Sequence, residues 1–291
     1  MIKIFYAQNK DIPYLKDLWR ECFDDTEEFI EFYYQFIFNK DETLLIWDGN
    51  VPVAALQMIP YQIKEGQNTY KAAYISGAMT MPSYQGKGLM RSLLTEAFEE
   101  MRKDNCRYSF LIPQGASLID FYSKFGYKSA FPLRQEIVSV SDFNSPTCNL
   151  PKIYKTLSEL DISYLHTHYL HLLGKKDDFV IKSILHFEWM LRDLFRDGGC
   201  VFHVDGPSQA LAFALLWDEQ IFVKELLCEN ASMETELISA IKETLCPLAR
   251  DGNINILRAG QAPCAKYYGM IKDLANDSNM PLNSYMSMML N

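Results

Sequence analysis

Two hydrophobic periods alternate along the first 140 residues. A short alternating run at 2–8 reads as an opening strand. Asp11 then precedes a helical pattern to residue 22, with Ile12, Leu15, Leu18 and Trp19 on one face. A second helical stretch, 26–38, carries aromatic residues on one side. Apolar strands are predicted at 43–47, 51–64 and 70–81, separated by the turn signals Asp48-Gly49-Asn50 and Gly66-Gln67-Asn68. A glycine loop follows, then a helix to about residue 104. After it come an apolar strand at 108–112, a short helix at 116–125 stopped by Gly126, and two closing strands within 127–140. Pattern alone makes this an α/β domain.

The segment from 74 to 91, YISGAMTMPSYQGKGLMR, concentrates the chemistry. A buried strand, a tight glycine loop and a helix start form a seat for a pyrophosphate. The free amides of a first helical turn donate to phosphate oxygens, and the helix dipole adds about half a positive charge there. Gly86 and Gly88 permit close approach to the backbone, and Lys87 and Arg91 add charge. The GxxxxGK[ST] loop of the nucleotide-binding P-loop and the GxGxxG of dinucleotide folds are both absent.

Gln85-Gly86-Lys87-Gly88 resembles the Gln/Arg-x-x-Gly-x-Gly/Ala signature of the GNAT superfamily of acetyl-CoA-dependent N-acetyltransferases. Met90 stands where that signature has a small residue. The order of elements in the first 140 residues is also that of the family. The resemblance implies that the coenzyme pyrophosphate lies on Gln85, Gly86, Lys87, Gly88, Leu89, Met90 and Arg91. It implies further that the pantetheine arm runs beside the strand end at Ala78, Met79, Thr80 and Met81. In the segment FYSKFGY, it makes Tyr122 the general acid for the leaving thiolate. A phenol with an ordinary pKa near 10 carries its proton at pH 7.

Residues 141–152, with two prolines and several turn formers, read as a linker. Beyond it the pattern partly repeats. Helices are predicted at 158–172 and 178–194, and strands at 200–204, 209–217 and 221–228. A helix at 233–250 and strands at 253–257 and 284–290 complete the half. The expected organisation is an α/β (α+β) chain of two GNAT-like domains, 1–142 and 143–291, each a mixed, largely antiparallel twisted sheet flanked by helices. The second domain has Cys228-Glu229-Asn230-Ala231-Ser232 where the glycine loop would be, with no glycine and an acid at the phosphate position. It is expected to bind no coenzyme. This tandem arrangement resembles the first two-thirds of the Eis-type acetyltransferases.

The rest of the sequence narrows the function. With 48% hydrophobic and 22% charged residues, the composition is that of a globular protein. No apolar run approaches a membrane span and the N-terminus lacks a secretory pattern, which makes the cytoplasm the expected compartment. Seven scattered cysteines without a CxxC suit free thiols. The net charge of −9 argues against nucleic acid and suits a cationic acceptor, a small-molecule or peptide amine. An alkyl amine must be neutralised before it attacks, at a cost of about 4.6 kcal/mol at pH 7. Asp24, Asp25, Glu27 and Glu28 cluster between the first two helices, where the family places substrate-facing residues. They compete with a role as helix caps. Of His166, His168 and His171 only the last two share a helical face, and no carboxylate completes a metal site, so no metal is expected.

Two other readings stand beside an N-acetyltransferase. One is a non-catalytic acyl-CoA-sensing or protein-binding module. The other is a transferase using aminoacyl-tRNA, which the acidity disfavours. The second domain is expected either to wall the acceptor pocket or to form a homo-oligomer interface.

Overall fold

The computed structural model describes residues 3–139, 141, 151–250, 252–260, 266–275 and 280–289. Its elements in chain order begin with β1 (Ile4–Tyr6), α1 (Ile12–Cys22), α2 (Glu27–Phe32), β2 (Thr43–Asp48), β3 (Val51–Glu65), β4 (Asn68–Thr80), α3 (Leu89–Lys103), β5 (Tyr108–Leu111) and α4 (Ala116–Ser123). They continue with β6 (Lys128–Ser139), β7 (Lys152–Tyr154), α5 (Ile162–Leu173), β8 (Asp178–Ile181), α6 (Ile184–Arg196), β9 (Cys200–Val204), β10 (Ala210–Trp217), β11 (Gln220–Cys228), α7 (Ala231–Leu245), β12 (Asn253–Ala259) and β13 (Lys266–Asp273). This is a mixed α/β chain with a mostly antiparallel sheet flanked by helices, as expected.

The contacts divide the chain into two compact units. One holds residues 1–63, 69–128 and 269–280; the other holds 64–68, 129–268 and 281–291. Where the sequence suggests a single cut after residue 142, each unit is thus built from separated stretches.

In the first unit the strands run in the order β1-β2-β3-β4-β5-β13. Pairs β1–β2, β2–β3 and β5–β13 are antiparallel, and β4–β5 is parallel. The β4–β5 crossover is α3, which turns Leu89, Leu93, Leu94, Ala97, Phe98 and Met101 onto the sheet at helical spacing. They pack with Leu56, Ala73, Ile75, Leu111, Met270 and Leu274 in one cluster. Each large side chain so buried contributes about 1.5–3 kcal/mol.

The expected helix 26–38 is α2 followed by a π-turn over Tyr33–Ile37, closed by Phe38 N–H donating to the Tyr33 carbonyl at 2.8 Å. The wider turn places Tyr33, Tyr34 and Ile37 together on the buried side. Only one strand, β6, exists where two closing strands were expected. It bends at Phe131, which has φ 60° and precedes Pro132, and from Ser129 onward it belongs to the second unit. The strand beside β5 comes instead from β13, which the sequence pattern did not reveal.

In the second unit the order is β6-β12-β11-β10-β9-β7, antiparallel except for β11–β12. Helix α7 is the crossover of that parallel pair, the place α3 takes between β4 and β5. The expected helix 178–194 divides into β8 and α6. Ser183 caps α6, its hydroxyl accepting from His186 N–H at 3.2 Å, so the helix starts later than the apolar pattern suggests. The expected strand at 284–290 is reduced, among the described residues, to a bridge between Tyr285 and Phe179. Most of the expected linker, 142–150, lies outside the described residues.

Candidate active site

The site grows out of a mismatch in strand length. β4 and β5 are in register over Ala72–Tyr108, Ala73–Ser109 and Tyr74–Phe110. β4 then continues to Thr80, so residues 75–80 run on beyond the last β5 partner. Along that stretch no strand among the described residues pairs with the β4 edge that faced β5, so its backbone groups can bond a ligand chain. Gly77 stands inside it at φ +55°, and a Cβ there would lie 3.0 Å from Trp19 Cζ3. Met79 is buried and Ala78, Thr80 and Met81 are half-buried, so a ligand would meet backbone more than side chain. Met81 N–H donates to the Val53 carbonyl at 2.9 Å, which pins the end of the strand.

The loop that follows is exposed from Gln85 to Gly88. Gly86 has φ +75° and Gly88 φ +80°, and a Cβ at either would point into open space. Gly88 is the N-cap of α3 and has no side chain to cap with. Ser92 N–H to the Gly88 carbonyl, 3.1 Å, is the first bond of the helical ladder. The amides of Leu89, Met90 and Arg91 precede it and have no intrahelical acceptor. Around this donor-rich end, the Lys87 ammonium sits over the Tyr84 ring at 4.3 Å and the Arg91 guanidinium over the Phe125 ring at 5.1 Å. The Gln85 amide donates to the Thr80 carbonyl at 3.3 Å, tying loop to strand. Leu89 is buried and Met90 packs on the same apolar cluster, so a large residue at 90 leaves the ligand side clear.

Tyr122, on α4, is 6% exposed and belongs to that cluster as well. Its ring meets Phe121 and Tyr127 at 5.2 and 5.7 Å. Burial pushes the phenol up to about 12. Among the described residues its hydroxyl has no hydrogen-bond partner, whereas the neighbouring Tyr127 hydroxyl is bonded to Ser109 at 2.6 Å. A protonated, unpartnered hydroxyl on an otherwise buried ring is suited to give a proton to a ligand atom.

The acidic cluster between α1 and α2 divides in two. Asp25 accepts from Trp19 Nε1 at 2.8 Å, and Glu27 takes Arg20 through both oxygens at 2.7 and 2.8 Å. Asp24 and Glu28 are exposed. A polar chain not singled out by sequence reasoning lies on the inner side of this region. Tyr33 donates to Gln57 Oε1 at 2.9 Å and lies 3.0 Å from the Ser76 hydroxyl. The Gln57 amide donates in turn to the Ile37 carbonyl and to Glu42, at 3.0 and 3.3 Å. A glycine inside a long apolar strand, Gly77, was the available signal that another group approaches there.

At the start of α7, the place of the glycine loop is filled by the protein itself. Asn230 Oδ1 accepts from Met233 N–H at 3.0 Å, and the Glu229 carboxylate accepts from Gln209 N–H at 3.0 Å and from Lys175 at 2.8 Å. These partners, the Lys175 ammonium foremost, hold the Glu229 carboxyl down at about 2. A fixed negative charge sits where a phosphate would have to enter.

Residues 3–130 match the model of the acetyltransferase (GNAT) domain. No curated protein matches the sequence closely enough to add to this. Among solved structures, a probable N-acyltransferase from Enterococcus faecalis aligns with a TM-score of 0.77 at 14% identity, covering 94% of this chain and 72% of its own. A GCN5-related N-acetyltransferase from Kribbella flavida gives a TM-score of 0.73 at 14% identity, with 93% and 70% covered. Eis1 from Mycobacterium abscessus gives 0.66 at 12% identity, with 94% and 74% covered. Among the described residues no helix is long and apolar enough to cross a membrane. Residues 3–130 thus match the GNAT acetyltransferase domain, in a chain whose fold is similar to that of solved GNAT N-acetyltransferases.

Proposed function

We propose that the protein transfers an acetyl group from acetyl-CoA to a primary amine by direct attack of the amine on the thioester. The observation that carries this is the open N-terminus of α3 behind Gly86 and Gly88, continuous with the free edge of β4. Phosphate oxygens suit the amides of Leu89, Met90 and Arg91, and a pantetheine chain suits the backbone of residues 78–81. In the reaction the amine nitrogen forms a bond to the thioester carbonyl carbon, the C–S bond breaks, and Tyr122 gives its proton to the departing sulfur. The tyrosinate recovers a proton from the ammonium centre of the product or from solvent.

The test uses the full chain, titrated calorimetrically with acetyl-CoA and assayed against polyamines, aminoglycosides and lysine peptides. One coenzyme per chain and turnover on at least one amine are expected. Tyr122→Phe should lower kcat by about 10²–10⁴ while KM for acetyl-CoA stays within about threefold. Because burial pushes the Tyr122 phenol up to about 12, the rate should rise with pH as the amine loses its proton, with no downturn from this acid below about pH 10. Binding without turnover on any amine would favour the acyl-CoA-sensing module. Absence of binding would sink both readings.

A further inference from the structure

Helix α5 and the end of strand β9 bring together His168 and, 35 residues further along the chain, the pair His203 and Asp205. His168 Nδ1 and His203 Nε2 lie 2.9 Å apart, edge to edge. His203 and Asp205 are two residues apart at the end of β9, and alternation along a strand turns both to one side. One ligand atom from each of His168, His203 and Asp205 lies within 4.8 Å of the others. His168 and His203 are buried, and Asp205 opens to solvent. From this juxtaposition we infer a binding site for a zinc-type divalent cation, held by the two imidazoles and the carboxylate, with water in the fourth position.

The chemistry of the donor set fits. Two neutral imidazoles and a carboxylate are the ligands of tetrahedral zinc centres that keep one open position. At Zn–N bonds of about 2.0–2.1 Å, the nitrogens of a tetrahedral site stand about 3.3 Å apart. The observed pair needs to open by only about 0.4 Å from its present 2.9 Å. The proton now shared between the rings moves to the outer nitrogen of the ring that carries it, a change of tautomer that leaves both imidazoles neutral.

The surroundings are already arranged for such a centre. Tyr164, one helical turn before His168, donates its hydroxyl to Asp205 Oδ2 at 2.6 Å. Its ring packs on the His168 ring, centroids 4.3 Å apart. One side chain therefore orients both a carboxylate and an imidazole, leaving Asp205 Oδ1 for the ion. Lys152, opposite His203 in the β7–β9 register, is the opposing charge at the rim. A bound ion would clip α5 to the end of β9 within the second unit.

The untagged full chain, stripped with chelator and dialysed, is titrated with Zn²⁺ by calorimetry and with Co²⁺ by visible absorption. One ion per chain and the intense bands of tetrahedral Co²⁺ are expected. Asp205→Asn should weaken binding by about 10–100-fold and His203→Gln by more, and Tyr164→Phe by about tenfold. Lys152→Ala should tighten it. Zn²⁺ should also raise the melting temperature of the parent chain, and Asp205→Asn should lose that rise. Since Asp205 is exposed, this variant keeps the fold, which its melt without metal will verify. No uptake of Co²⁺ at millimolar concentration, or uptake of equal strength in Asp205→Asn and His203→Gln, overturns the site. The imidazole pair is then only a buried hydrogen bond.

Discussion

A glycine held at positive φ in open space invites the question of what the missing Cβ makes room for. Gly49 and Gly88 are such a pair, at φ +60° and +80°, with nothing within 4 Å of a built Cβ at either. Alanine should cost about 1–2 kcal/mol of stability at each through backbone strain alone. Only at 88 would the methyl project toward a ligand seated on the α3 amides. Gly88→Ala should therefore weaken acetyl-CoA at least tenfold and Gly49→Ala leave it unchanged, with equal losses in chemical denaturation. Equal affinities in the two variants would remove the seat from this loop. The strand, the two positive-φ glycines and the helix start behind them were legible because such a junction leaves a local signature, and Lys87 and Arg91 lie within it. The short helix that carries Tyr122 was legible too, through the stop at Gly126. The Ser76–Tyr33–Gln57–Glu42 chain was not, since its members come from separate elements and a π-turn aims Tyr33. Tyr33→Phe would leave Gln57 Oε1 buried without its donor, and should cost about 1–3 kcal/mol in urea denaturation.

At the scale of elements, α3 and α7 are the same crossover with opposite N-termini. Gly88 leaves the first turn of α3 open, while Asn230 closes that of α7 and Glu229 adds a charge beside it. Asn230→Ala should cost about 1 kcal/mol by loss of the cap and leave the acetyl-CoA titration at one site with unchanged affinity. A second binding step in that titration would show that α7 also accepts coenzyme. Elements with strong periodicity, such as α1, α3, β3, β4 and β9 to β11, were readable within a few residues. The errors share one physical origin: the local pattern said little about partners. Asp178-Phe-Val-Ile is as apolar as a helix start, yet Val180 N–H donates to the Tyr285 carbonyl at 2.9 Å, and Tyr285 N–H to the Asp178 carbonyl at 2.8 Å. Likewise, β13 follows a stretch without apolar rhythm. Its pairing with β5 is a long-range contact that no local window contains.

For the whole molecule, the consequential fact is that the first unit, which holds the matched domain, is not contiguous. Its model match ends at residue 130, but its sheet includes the 269–273 part of β13. Met270 pairs with Leu111 and Ile271 with Phe110, and Leu274 packs in the cluster beneath α3. Met270, Ile271 and Leu274 are each at most 3% exposed. At about 1.5–3 kcal/mol for each such side chain, their loss removes about 5–9 kcal/mol, as much as the whole stability of many domains. It would also bare the β5 edge, whose Tyr108, Ser109, Phe110 and Leu111 are all fully or nearly fully buried, and it would break the Arg107–Asp273 ion pair, now 3.3 Å. A fragment ending at residue 142 holds every residue proposed for the coenzyme seat, yet it should fail to unfold cooperatively, should bind acetyl-CoA poorly and should aggregate. Co-expression with 143–291, which carries β13, should restore both folding and binding. Cooperative melting of the 1–142 fragment alone, with acetyl-CoA affinity equal to that of the full chain, would show that the strand from the far end of the sequence is dispensable. It would also make residues 1–142 a free-standing domain, the very division that the hydrophobic pattern suggests.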